Sequence, residues 1–408
     1  MPRISDKGQH MPASPIRKLV PYATSAKARG TEVLHLNIGQ PDLQTPKVFW
    51  DNLRAIEDGI LAYSDSDGYT DYKEKWVQYY ATFGANITSD DLIITTGASE
   101  ALSIAKLACL DPGDEIIIPE PLYANYIGFA KMAGINIKPI STSIDDGFCL
   151  PPISAFNESI GPRTKAILIC NPNNPTGYLY TREELETLRD IVIRHDLFLF
   201  VDEVYREFAY DGKEHISILT MEGLENNVIV FDSISKRFSA CGARIGALIS
   251  RNKQVIDTAM KFAQARLSPP SLSQLAGKSL FDLKQSYYDA IIEEYDERRK
   301  FLVEKMQAID GVKCPMPGGA FYAMLELPVD NSDRFCQWLL EEFEHEGKTV
   351  MLAPGSGFYS TPGLGTKEAR MAYVLNKEKL EQAVSILRRA LASYPGRTKT
   401  SESQMMRS

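Results

Sequence analysis

Six short, uniformly apolar runs recur through the middle of the chain: Leu92–Ile94, Ile116–Ile118, Ala166–Cys170, Phe198–Val201, Val228–Phe231 and Ala247–Ile249. None alternates apolar with polar residues. Each therefore predicts a strand buried on both faces, the pattern of a mainly parallel sheet covered by helices. Amphipathic stretches fit between the runs. Thr181-Arg-Glu-Glu184 is a capping box, in which a threonine hydroxyl and a glutamate three residues on satisfy each other's free backbone N–H. It predicts a helix to about His195 with Leu185, Leu188 and Ile191 or Val192 on its inner face. After about Leu283 the texture changes to a long charged helical stretch, then PGGAFYAML, then a helix near Ser332–His345. A last helix carries Leu380, Ala383, Val384, Leu387, Ala390 and Leu391 at helical spacing. The pattern predicts an α/β chain with a large domain over 46–284, whose mainly parallel sheet is flanked by helices, and a smaller α+β domain over 285–395. Residues 1–45 are expected to form an N-terminal arm and part of the small domain. The polar stretch 396–408 has no periodicity and is expected to be a disordered tail.

Composition narrows the function classes. The 408 residues are 44% hydrophobic and 24% charged, with a net charge of −8. No apolar run approaches the ~18 residues that a membrane-spanning helix needs, so no membrane role is expected. No dense Lys/Arg block offers a basic face, so no nucleic-acid partner is expected either. Cys109, Cys149, Cys170, Cys241, Cys314 and Cys336 contain no C-x-x-C pair. With a polar start that lacks an apolar leader, they point to reduced thiols in a cytoplasmic protein. The five histidines are not spaced as metal ligands, so neither a metal site nor a catalytic histidine is expected.

The distinctive residues follow the apolar runs, where ligands gather in α/β sheets. Gly97-Ala98-Ser99 stands where a helix begins, a position suited to holding phosphate, although small residues also simply turn the chain. Tyr123, Asn174, Asp202 and Tyr205 follow the next runs. An aspartate after four apolar residues is costly to bury unless it meets a cation, although Asp also caps helices. The following strand ends in Ser233-Ile-Ser-Lys236, with Arg244 eight residues on. A lysine among such neighbours is a candidate for a Schiff base.

GASEAL, EPLYANY, NPNNPTG, DEVY, SISKRFSACGAR and EARMAY, with LNIGQPD near the start and PGGAFY near residue 320, stand in the order and near the separations of a known family. From about Ile38 to Tyr394 the chain resembles the class I/II pyridoxal-phosphate aminotransferases of fold type I, the aspartate aminotransferase-like enzymes. The resemblance implies that the cofactor is pyridoxal 5'-phosphate and that Lys236 forms its Schiff base and moves the substrate proton. It implies that Asp202 pairs with the ring nitrogen, that Asn174 and Tyr205 hydrogen-bond the phenolic oxygen, and that Tyr123 stacks on the ring. Gly97, Ala98, Ser99, Ser233 and Arg244 would hold the phosphate. Arg370 would grip the substrate α-carboxylate beside Gly39 and Asn174. Tyr63 would reach the phosphate of the neighbouring subunit, which implies a homodimer with shared active sites.

The resemblance further implies transamination between an amino acid and a 2-oxo acid by a ping-pong mechanism, with aspartate and 2-oxoglutarate favoured. Three positions depart from the family pattern: Glu100 where glutamine is frequent, Ala243 where an aromatic is frequent, and Ser99 where some aspartate-type members carry a lysine for the distal carboxylate. Arg17 and Lys18, on the N-terminal segment, are nominated for that carboxylate instead, with solvated surface charge as the equal alternative. The same motifs would also serve a C–S lyase or a decarboxylase. A non-catalytic regulator on this fold would need neither Lys236 nor a full site.

Overall fold

The structure, a computed structural model, describes residues 2–15, 17–57 and 59–398. Its strands are β1 (Glu32–His35), β2 (Leu92–Thr95), β3 (Glu115–Glu120), β4 (Asn136–Ser141), β5 (Thr164–Cys170), β6 (Phe198–Asp202), β7 (Val228–Ser233), β8 (Gly246–Ile249), β9 (Tyr322–Glu326), β10 (Lys348–Met351), β11 (Ala353–Pro354) and β12 (Glu368–Ala372). Seven form one sheet in the order β2-β8-β7-β6-β5-β3-β4. β3 to β7 run parallel, and β8 is antiparallel to both β2 and β7. The short connection 234–245 holds the turn that carries Lys236 and Arg244 instead of a crossover helix, so the chain returns in the opposite direction.

All six apolar runs lie within strands of this sheet, for the reason their uniformity suggests. Successive side chains point to opposite faces, and both faces are covered. Ile167, Ile169, Leu199, Val201 and Val230 pack with Trp76 and with Leu185, Leu188, Ile191 and Val192. Ala166, Leu168, Phe200, Ile229 and Phe231 pack on the opposite face, with residues of the helices Gly97–Cys109, Asn125–Ala133 and Lys253–Arg266. The capping box is present, with Glu184 N donating to Thr181 Oγ1 (3.2 Å) and Thr181 N to Glu184 Oε2 (2.8 Å), and the helix it opens spans Arg182–His195. Truncating one of these buried leucines to alanine typically costs about 2–5 kcal/mol, several times the worth of a cap.

A second core lies around the antiparallel sheet β11-β12-β9 and the parallel pair β1–β10. The 23-residue helix Gln285–Gln307 joins the two cores: Tyr288 belongs to the first, while Ile291, Tyr295, Leu302 and Val303 belong to the second. Leu19, Ala23, Ala26, Val33, Leu34 and Leu36 also enter the second core. The first residues of the expected disordered tail, Gly396–Thr398, are instead tied to the second core. Arg397 bridges Val329, and Thr398 N donates to the Pro328 carbonyl (2.9 Å), because these residues complete the edge of the second core. The rest of that expectation, residues 399–408, lies outside the described residues. Among the described residues no helix is long and apolar enough to cross a membrane.

Candidate active site

β5 and β6 end level with one another, and β7 runs two residues further, to Ser233. Cys170 lies opposite Asp202 in the register, and Asp202 lies opposite Phe231. The loops that follow therefore leave the sheet side by side and deliver Asn174, Asp202 with Tyr205, and Ser233 with Lys236 to one place. They meet a cavity of about 320 Å³, closed on other sides by Gly39, Ala98, Ser99, Tyr123, Arg244, Tyr322, Arg370 and Arg17. The size suits a small organic molecule.

Asp202 is buried on the floor of this cavity. Its hydrogen bonds come from neutral donors: Tyr126 Oη to Oδ2 (2.8 Å) and Val204 N to Oδ1 (3.3 Å). Burial pushes its carboxyl up from 3.8 to about 6, against the pull of those donors. A cation brought within reach would hold it ionised. Lys236 ends the short turn that follows β7, and its Nζ donates to the Gly39 carbonyl (2.9 Å). Gly39 is required there, since a Cβ would stand 1.6 Å from Tyr322 Oη. Burial holds the Lys236 ammonium below its ordinary value, and the nearby Arg370 and Arg244 cations add to this against Cys241 and Asp202. A depressed lysine spends more time as the free amine that attacks a carbonyl.

Beside them, Asn174 Nδ2 donates to Tyr205 Oη (3.3 Å), which lies 2.8 Å from Tyr322 Oη. On the far wall the helix Gly97–Cys109 begins, and Thr96 gives it no side-chain cap. Its first N–H groups, with the helix dipole, face the cavity as an anion cradle. A Cβ at Gly97, whose φ is +71°, would lie 2.5 Å from Arg244 Nη2, so only glycine lets the guanidinium close over the helix start. Arg244 itself adopts φ 54°, an uncommon backbone for a side-chain-bearing residue, and its Nη1 donates to the Cys241 carbonyl (2.9 Å). Ser233 Oγ donates to the Ile245 carbonyl (2.7 Å) and fixes the turn between them.

Arg370 projects from β12 and is buried between the rings of Tyr322 and Phe358, 4.4 and 4.8 Å from its Cζ. Its Nη1 donates to Asn174 Oδ1 (2.8 Å) and its Nη2 to the Asn37 carbonyl (2.6 Å). Its buried Nε has no hydrogen-bond partner among the described residues. A guanidinium so oriented, with unused donor capacity, is set for a carboxylate.

Most of the nominated residues thus converge: Gly39, Ala98, Ser99, Tyr123, Asn174, Asp202, Tyr205, Ser233, Lys236, Arg244, Arg370 and Arg17 line the cavity, and Gly97 lies directly behind it. Two stand elsewhere. Lys18 does not line the cavity; its Nζ is ion-paired with Asp333 Oδ1. Tyr63 is 76% exposed and outside the cavity, on a segment tied to the helix Ser271–Gly277 by Ser271 Oγ donating to the Ala62 carbonyl (3.2 Å). Tyr126, Tyr322, Asn125, Ser235 and Cys241 were not singled out from sequence. Tyr126 and Tyr322 sit inside the EPLYANY and PGGAFY motifs, the one signal that could have drawn attention to them.

The residues fit pyridoxal phosphate on their own chemistry: a depressed amine for its aldehyde, an anion cradle for its phosphate, and a buried carboxylate in need of a cation for its ring nitrogen. The comparisons agree. The family model described as aminotransferase class I and II matches residues 31–387. The aspartate aminotransferase of Pyrococcus horikoshii is 31% identical over 385 residues, covering 93% of this chain and 94% of its own. The structure of aspartate aminotransferase from Thermus thermophilus with maleate superposes with a TM-score of 0.86 at 29% identity, over 96% of this chain and 100% of that one. Alanine aminotransferase from Pyrococcus furiosus superposes with a TM-score of 0.87 at 30% identity, over 95% and 99%. With a family match over most of its length and a strand-end site that suits the cofactor, the chain belongs to the class I and II aminotransferases and is a pyridoxal-phosphate-dependent aminotransferase.

Proposed function

We propose that the enzyme moves the amino group of aspartate to 2-oxoglutarate in a ping-pong cycle, with Lys236 as the Schiff-base lysine. Lys236 would hold pyridoxal phosphate, which would supply an electron sink for charge on the substrate Cα. Lys236 Nζ then moves the proton to and from that carbon. Asp202, ionised once a cation faces it, keeps the ring nitrogen protonated. Asn174 and Tyr205 would donate to the phenolic oxygen, Tyr123 would cover the ring, and the Gly97–Ser99 helix start, Ser233 and Arg244 would hold the phosphate. Arg370, with Gly39 and Asn174 beside it, takes the α-carboxylate of every substrate and sets its orientation.

The choice of a dicarboxylate rests on Arg17. Lys236, Arg244 and Arg370 each have an anionic or carbonyl partner in this assignment. Arg17 is a further cation on the cavity wall with no such duty. An unpaired distal carboxylate would be costly in a partly desolvated site, and Arg17 would meet it. Lys18, engaged with Asp333, does not serve. We further infer a cytoplasmic homodimer with shared sites. Ile60, Leu61 and Tyr63 are exposed on a segment bonded at Ala62 to the helix Ser271–Gly277, which itself exposes Leu272 and Leu275, and apolar surface of this kind suits a second copy. Sedimentation should give a dimer, and a fully active monomer would refute it.

The deciding experiment is a panel of amino donors followed spectroscopically through the first half-reaction. Aspartate should convert the bound cofactor to its amine form with a higher kcat/KM than alanine, and 2-oxoglutarate should reverse the change. A preference for alanine or an aromatic donor would remove the dicarboxylate assignment and leave the aminotransferase intact. Release of a thiol or of carbon dioxide in place of a 2-oxo acid would point to lyase or decarboxylase chemistry.

A further inference from the structure

We propose that Asp333 is a positioning residue for dicarboxylate selection, clasping the arm that carries Arg17 onto the turn behind Arg370. Asp333 lies in the first turn of the helix Ser332–Glu341 and does not itself line the cavity. Its Oδ1 accepts from Lys18 Nζ and its Oδ2 from Ser356 Oγ (2.7 Å). Ser356 belongs to the turn Gly355–Phe358. On the same turn Gly357 packs so tightly against the arm that a Cβ would lie 2.2 Å from Pro15 Cβ. The next residue, Phe358, sets its ring against the Arg370 guanidinium.

The turn is in turn fixed to the large sheet. Leu122 N donates to the Phe358 carbonyl (2.7 Å), and the buried Glu120 side chain at the end of β3 accepts from Ser360 N (2.8 Å), Ser360 Oγ (3.1 Å) and Thr361 N (3.2 Å). One turn therefore backs the α-carboxylate arginine and also pins the arm on both sides of Arg17: at Pro15 by packing and at Lys18 through Asp333. An exposed arginine on a free arm would lose much chain and side-chain freedom on meeting a carboxylate. With its flanks held, that cost is met before substrate arrives, which is the ordinary route by which pre-organisation strengthens binding. The Lys18–Asp333 pair is partly exposed, so its release should lower the competent population of the arm modestly, not abolish it.

The inference rests on the reading that Arg17 meets the distal carboxylate, and the test separates the two. In the holoenzyme, kcat/KM for aspartate and for alanine is measured in the first half-reaction for wild type, Arg17→Ala, Asp333→Asn, Lys18→Met and the double variant Arg17→Ala/Asp333→Asn. Asp333→Asn and Lys18→Met should each reduce the aspartate-to-alanine ratio about three- to tenfold, mainly by raising KM for aspartate. Arg17→Ala should reduce it at least as much, and the double variant no further. Amide hydrogen exchange over residues 11–19 should quicken in Asp333→Asn while the rest of the chain keeps its protection. If Arg17→Ala leaves the ratio intact, the dicarboxylate reading falls and the clasp loses its purpose. If Arg17→Ala lowers the ratio but Asp333→Asn and Lys18→Met do not, or if the double variant loses the product of the two effects, the clasp alone is overturned. Should Asp333→Asn fold poorly, Lys18→Met alters only an exposed side chain and carries the same decision.

Discussion

At the floor of the cavity, Asn174, Asp202 and Lys236 leave adjacent strands of a sheet whose two faces are fully packed, and each is fixed by hydrogen bonds to neighbours that are themselves buried. At the rim, Arg17 and Lys18 stand exposed on a segment ahead of β1, between Pro15, packed on Gly357, and Leu19, buried in the second core; of the two side chains, Lys18 is held by an ion pair to Asp333. The floor is placed by strand register: a one-residue slip would exchange the side chains fitted to the two packed faces and move each strand-end residue by about 3.3 Å. The rim side chains are placed by contacts worth little singly. In the proposed assignment the bond-making groups belong to the sheet and the selectivity group to the arm, and the superposition on both an aspartate and an alanine aminotransferase is in keeping with that division.

Breaking the floor should have the largest effects. Lys236→Ala should lower turnover by at least about 10⁴-fold with every donor, since it removes both the nucleophile and the proton carrier. Near-normal single-turnover rates would contradict its role. Asp202→Asn should slow proton removal by about 10²–10³-fold while weakening cofactor binding far less, as read from half-reaction rates at saturating cofactor. The same variant should show the opposite sign in stability. Burial raises the Asp202 pKa from 3.8 to about 6, so the cofactor-free protein keeps full stability below about pH 4 and loses some as pH rises through 6. Cofactor-free Asp202→Asn should therefore unfold at higher denaturant than wild type at pH 8, by up to about 3 kcal/mol, with the difference gone near pH 4. Equal midpoints at both pH values would mean that the carboxylate is not strained by burial.

Between floor and rim, Arg370→Ala should impair aspartate and alanine together, by about 10²-fold in kcat/KM, because both carry an α-carboxylate. A change in their ratio would show that Arg370 also reads the side chain. At the rim, Arg17→Ala should cost aspartate about tenfold more than alanine, and the loss should shrink in high salt because the site there is open to solvent. An equal loss for both donors would make Arg17 a general lid contact.

The sequence was legible where one physical cause dominates. Uniform apolar runs marked six strands of the large sheet, and the capping box marked the start of the helix Arg182–His195. β4 escaped because Asn136–Ser141 is an edge strand, mostly half-buried, with lysine and proline in its sequence. The residues of the floor were found through motifs that follow strands. Tyr126 was not, since its role is to donate to Asp202 from a helix 76 positions earlier. Lys18 was nominated for substrate by its place beside Arg17; its partner Asp333 is 315 residues away, a pairing that no local pattern reveals.

The decisive comparison is between two lysines of the large domain, Lys236 and Lys106, whose ammonium forms are disfavoured by burial. Lys106 lies within the helix Gly97–Cys109, its Nζ without a hydrogen-bond partner among the described residues and 5.2 Å from the centroid of the Phe129 ring; burial lowers it to about 7. It is thus a free amine as plausible in chemistry as Lys236, but it lies outside the cavity lining. Borohydride reduction of the holoenzyme followed by peptide mass mapping decides between them. The reduced cofactor should be found on the peptide containing Lys236 and not on Lys106. Label on Lys106, or label that persists at the wild-type level in Lys236→Ala, would contradict it.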